Sequence, residues 1–112
     1  MDLTLALAWV GRGFALGKLR WFEEEIICYD RALKIYPFFL SAHVKKGMAL
    51  INIKRYREAI EVLDRALTID PGNAKALYRK GLSLSMVSRM KKRYNVLQKH
   101  LKLNRELLMR GL

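Results

Sequence analysis

Three segments of this sequence recur at one fixed spacing. Arg12-Gly13-Phe14-Ala15-Leu16, Lys46-Gly47-Met48-Ala49-Leu50 and Lys80-Gly81-Leu82-Ser83-Leu84 lie 34 residues apart. Asp30-Arg31-Ala32-Leu33 returns as Asp64-Arg65-Ala66-Leu67, and Pro37 returns as Pro71, at the same offset. A period of this length holds one supersecondary unit, which cannot bury its apolar face alone and must stack on its neighbours. The chain is accordingly read as one domain over residues 1–112, with units at about 6–39, 40–73 and 74–107.

The middle unit states its secondary structure most clearly. A first helix is expected over residues 39–53, with Ala42, Gly47, Ala49 and Leu50 available for packing. A second is expected over 56–69, where Ala59, Ile60, Leu63, Ala66 and Leu67 form one apolar stripe at helical spacing. Asp70-Pro71-Gly72 ends it, because Pro71 has no backbone N–H and Gly72 tolerates a turn. Asn73 can cap the next helix by accepting a free backbone amide.

The period, the glycine where two helices cross and the closing proline resemble the tetratricopeptide repeat family, over roughly residues 6–107. The crossing glycine is Gly13, Gly47 and Gly81. The aromatic that opens the second helix is Phe22 and Tyr56, then Met90. The small residue of the tight contact is Ala59 in the middle unit, against Glu25 and Arg93 in the others. A later small position reads Ala32, Ala66 and His100, and Arg105 stands where the third closing proline would be. The third unit is thus degenerate, and its second helix is expected to pack less regularly and to form one long helix over 90–109. The resemblance implies an all-α fold, a right-handed superhelical array of three antiparallel helix pairs.

Charge is unevenly placed. Residues 1–70 carry 11 Lys/Arg against 9 Asp/Glu, whereas residues 71–112 carry 11 against Glu106 alone, so +10 of the net +12 lies in the last third. Such a block favours acidic partners, among them acidic peptides and nucleic acid. The lone Cys28 excludes an intrachain disulfide, and its apolar neighbours Ile26 and Ile27 suit a buried thiol. The aromatics of Tyr36-Pro37-Phe38-Phe39 are expected to pack between units.

No constellation for catalysis or metal binding is apparent. His43 and His100 are 57 residues apart without a carboxylate or thiol at ligand spacing. Glu23, Glu24 and Glu25 point about 100° apart on a helix, so they favour its positive end rather than one ion. Gly11 and Gly13 lack the third glycine and the strand of a phosphate loop. The apolar start of the chain lacks a basic leader and is too short to span a membrane. These readings favour a non-enzymatic, cytoplasmic protein without cofactor or metal.

In the family, the first helices of successive units line a concave groove. The resemblance therefore places Val10, Val44 and Tyr78 in one row, Phe14, Met48 and Leu82 in another, and Lys45 with Arg79 and Lys75 in the basic rows. Lys75 and Arg79 match two of the five positions with which some members clamp a peptide's terminal carboxylate; Val10, Phe14 and Lys45 occupy the other three without matching. The expected partner is another protein, held through an acidic or apolar peptide segment. A nucleic-acid reading would use Lys91, Lys92, Arg93, Lys99 and Lys102. A self-assembling unit would use the stripe Tyr94, Leu97, Leu101 and Leu108 to form a homo-oligomer.

Overall fold

A computed structural model describes residues 2–111. It consists of α1 (Leu3–Lys18), α2 (Phe22–Ile35), α3 (Leu40–Asn52), α4 (Tyr56–Ile69) and α5 (Ala74–Met109). No strand occurs among the described residues. The helices α1/α2 and α3/α4 form two hairpins that stack side by side, and the first part of α5 lies against α4.

Local chemistry sets the helix ends. The Asp2 carboxylate accepts the Leu5 N–H at 3.0 Å at the start of α1. Asn73 caps α5 as expected, its Oδ1 accepting the Ala76 N–H at 2.9 Å. Within each hairpin the chain reverses through one left-handed residue, Arg20 (φ 64°) and Lys54 (φ 63°). The N–H groups of Trp21 and Arg55 then close the preceding helices by donating to the carbonyls of Leu16 at 3.0 Å and Leu50 at 2.9 Å. Pro37 and Pro71 follow the ends of α2 and α4 within two residues.

The core runs without a break through both hairpins. Ala6, Val10, Ile26, Tyr29 and Ala32 of the first join Ala42, Ala49, Leu50, Ala59 and Val62 of the second. Tyr36 and Phe39 pack against this core with ring centroids 5.6 Å apart, but Phe38 is 68% exposed and does not join them. His43 pins the same linker, its Nε2 donating to the Pro37 carbonyl at 2.7 Å. Cys28 is buried, and desolvation pushes its thiol pKa up, consistent with a packing role.

Two of the three repeated glycines mark close crossings. A methyl on Gly13 would meet the Tyr29 ring at 2.6 Å, and one on Gly47 would meet Leu63 at 2.6 Å. Gly81 has no such neighbour within 4 Å, contrary to its expected crossing role. The repeated cation and acid also have a structural meaning. Lys46 Nζ reaches Asp30 at 2.6 Å and Lys80 Nζ reaches Asp64 at 2.7 Å, so one ion pair ties each unit to the next.

The third hairpin differs from the expected helix pair. α5 continues for 36 residues through Ser88, where the earlier units reverse at Arg20 and Lys54. Two features oppose folding back. The first turn of α2 holds Glu23, Glu24 and Glu25 and that of α4 holds Glu58, but Lys91, Lys92 and Arg93 occupy the matching region here. Cations at a new helix start would face the positive end of its dipole, a conflict that a mid-helix position avoids. In addition, Arg93 and His100 match Ala59 and Ala66, both 0% exposed, so folding back would bury polar side chains at alanine sites. From Ser88 to Arg110 every residue is instead exposed.

Candidate groove site

The expected groove divides into two parts. The first is a cleft of about 220 Å³ between the hairpins, with Phe14 and Lys18 from α1, Glu25 and Tyr29 from α2, and Lys45 and Met48 from α3. Phe14 is the exposed aromatic of this cleft, and the ammonium groups of Lys18 and Lys45 each lie 4.8 Å from its ring centroid. The ring face attracts these cations electrostatically, which holds both over an apolar surface.

The floor of the cleft is a buried hydrogen bond that the sequence reading missed. The Tyr29 hydroxyl donates to Glu25 Oε2 at 2.6 Å, while Glu25 Oε1 is buried without a hydrogen-bond partner. Burial raises the Glu25 pKa, opposed by the tyrosine hydrogen bond and the charge of Lys45. Burial and the adjoining acid likewise raise that of Tyr29. The available signal was Glu25 at the position where the middle unit has Ala59, together with a small residue, Gly17, to make room for it.

The second part belongs to α5. Tyr78 is 67% exposed and Leu82 is exposed, with the Arg79 guanidinium 5.7 Å from the Tyr78 ring centroid. Lys75 is exposed and Arg79 half-buried. No ion pair among the described residues engages Lys45, Lys75 or Arg79. Lys45 is held over Phe14 and Arg79 beside Tyr78.

Val10 and Val44 require correction. They are 7% and 6% exposed and belong to the core, Val44 packing with Leu63, Ala66 and Ala76. Val10 shares its cluster with residues of both hairpins, and Val44 with the second helix of its own unit and Ala76 of the next, whereas Tyr78 in the same row is exposed. Tyr94, Leu97, Leu101 and Leu108 are all exposed on the free part of α5, as are Lys91, Lys92, Arg93, Lys99 and Lys102. Among the described residues no three metal-ligating side chains cluster, and no helix is long and apolar enough to cross a membrane.

Stacked helix hairpins with an open face on their first helices define an α-helical repeat protein. The tetratricopeptide repeat model matches residues 6–39 and 40–73, more than half of the chain, and the protein belongs to that family, a non-catalytic protein-interaction fold. The fold is similar to the second tetratricopeptide domain of Spaghetti (RPAP3) bound to the HSP90 peptide SRMEEVD. The TM-score is 0.75 at 22% identity, covering 86% of this chain and 89% of that one. It is similar to the Arabidopsis OM64 domain with a TM-score of 0.75 at 20% identity, covering 80% and 74%. The TPR2B domain in a complex of yeast Sti1 with pHsp70 gives a TM-score of 0.65 at 31% identity, covering 76% and 70%. No curated protein sequence gives a significant match.

Proposed function

We propose that this protein binds an acidic peptide segment of a partner protein in the concave face of its hairpins, as a non-catalytic interaction module. The observation that carries the reading is the pairing of an exposed aromatic, Phe14, and Met48 with cations that form no ion pair among the described residues: Lys45 over the ring, then Lys75 and Arg79 on α5. Apolar side chains of a bound peptide pack on Phe14, Met48, Tyr78 and Leu82, and its carboxylates reach Lys45, Lys75 and Arg79. The guanidinium can hold a carboxylate through two parallel hydrogen bonds. That similar structures carry the acidic peptides SRMEEVD and SGPTIEEVD supports the peptide class.

Titration calorimetry with SRMEEVD as the probe tests the site. Losing one charge-assisted hydrogen bond in a half-exposed groove weakens binding about 10-fold, the lower end of the range for such bonds. Arg79→Ala is expected to show that loss and Lys99→Ala, on the free part of α5, little change. Equal losses would mean diffuse charge attraction, and no loss with Arg79→Ala would remove the groove site.

A further inference from the structure

The free part of α5 carries a second surface, distinct from the groove. Ala76 and Ser83 are the buried residues by which α5 packs on the preceding hairpin, and Ala76 touches the cluster of Leu63 and Ala66. Steps of three and four residues extend the same face through Val87, Met90, Tyr94, Leu97, Leu101, Asn104 and Leu108. That is a seven-residue repeat with two apolar positions per heptad, the pattern of a helix that lies along another helix. α4 covers the stripe only as far as its own first turn. There Tyr56, Arg57, Val87, Met90 and Tyr94 bound a cleft of about 500 Å³, and beyond it the stripe is bare.

The flanks of the stripe decide what covers it. The positions on either side are Lys91, Arg93, Gln98, His100, Arg105 and Leu107, with no acid among them. Residues 90–110 carry seven Lys/Arg, and their one acid, Glu106, lies on the opposite side of the helix. A second copy would therefore place cations beside cations in either orientation, since flanking charges set partner choice in paired helices. Glutamates in the same flanking positions would answer Lys91, Arg93 and Arg105. We infer that the exposed stripe of α5 is a docking site for an amphipathic helix of a partner protein, apolar along one face and acidic on both flanks. The docked helix lies in line with α4 and antiparallel to α5. Its negative C-terminal end meets the amino end of α4, beside Lys54 and Arg57 of the cleft, where Arg55 is already paired with Glu58 at 2.8 Å. Asn104 interrupts the stripe near its far end and favours one register.

The test uses the full chain and three synthetic 21-residue peptides. The first has leucine at the stripe positions and glutamate on both flanks; the second has the same composition in scrambled order; the third has lysine on the flanks. One-to-one binding of the first alone is expected, weakened at least 10-fold by Leu97→Ala with Leu101→Ala and weakened again by added salt. Both leucines are exposed and belong to neither core cluster, so the variant keeps the wild-type circular dichroism and its affinity for SRMEEVD. Failure of the first peptide to bind at micromolar concentration would overturn the inference. So would equal binding of the scrambled peptide, which would mean charge alone. Sedimentation of the chain by itself provides the remaining arm: a dimer that strengthens with salt and is lost in the double variant would give the stripe to a second copy.

Discussion

Gly17 and Glu25 are fitted to one another: a methyl on Gly17 would stand 2.6 Å from the Glu25 carboxylate. The middle unit places the larger residue on the other helix, as Ile51 and Ala59. Gly17→Ile should therefore lose at least the ~1–3 kcal/mol typical of overpacking. Adding Glu25→Ala should recover much of the loss, with the Tyr29 hydroxyl left without its acceptor as the remaining penalty. Urea denaturation of both single variants and the double should give a coupling of at least ~1 kcal/mol. Additive losses would show that the two positions are independent.

The same carboxyl sets a pH dependence. Burial raises the pKa of Glu25 in the folded state, so between its ordinary and raised values the folded protein holds more protons than the unfolded chain. Stability is thus expected to fall as pH rises through that window and to show no such slope below it. Glu25→Gln removes the titration, and its stability relative to wild type should rise over the same interval. Parallel pH profiles for the two proteins would contradict the assignment.

Gly47 and Gly81 should respond in opposite directions. Gly47→Ala drives a methyl into Leu63 at a packed crossing and should destabilise. Gly81→Ala meets nothing within 4 Å and should gain up to about 1 kcal/mol of helix propensity. Thermal unfolding distinguishes them; a matching loss at Gly81 would mean that a folded-back third hairpin is populated in solution.

The repeated ion pairs are half-exposed, so they are expected to contribute little. Lys46→Met should change stability by no more than about 1 kcal/mol, with the difference shrinking in high salt. A larger, salt-insensitive loss would make the pair a principal tie between the hairpins.

The limits of α4 at Tyr56 and Ile69 were legible because the stripe, Pro71 and Asn73 act locally and agree. The missing third turn was less so. Periodicity argued for a hairpin, and Gly81 is present on cue, but Lys91, Lys92, Arg93 and His100 decide the matter through the helix dipole and the alanine-sized contacts they would have to fill. The Asp30–Lys46 and Asp64–Lys80 pairs were visible as two co-repeating charges, although each motif alone gives no hint that the other is its partner. Val10 and Val44 misled the groove reading because position on a first helix does not separate the open face from the packed one. Phe14, Lys45 and Met48 fall on the open side and line one cleft.

Removing the chain after Tyr94 should leave the hairpins intact, because the described residues lost, 95–111, are all exposed. The melting midpoint is expected to stay within a few degrees and SRMEEVD affinity to be unchanged, while docking of the acidic helix is abolished. A collapse of the cooperative transition would mean that the free part of α5 supports the core.

That α5 passes straight through Ser88 fixes a ruler into the molecule. With a rise of 1.5 Å per residue, Arg79 in the groove and Leu97 on the stripe stand about 27 Å apart along one stiff axis. A single partner chain bearing both an acidic segment and an acidic helix needs roughly eight extended residues between them to reach both sites at once. A shorter tether would engage one site at a time, whereas a matched one would raise the local concentration of the second ligand and lengthen the life of the complex with no additional contact.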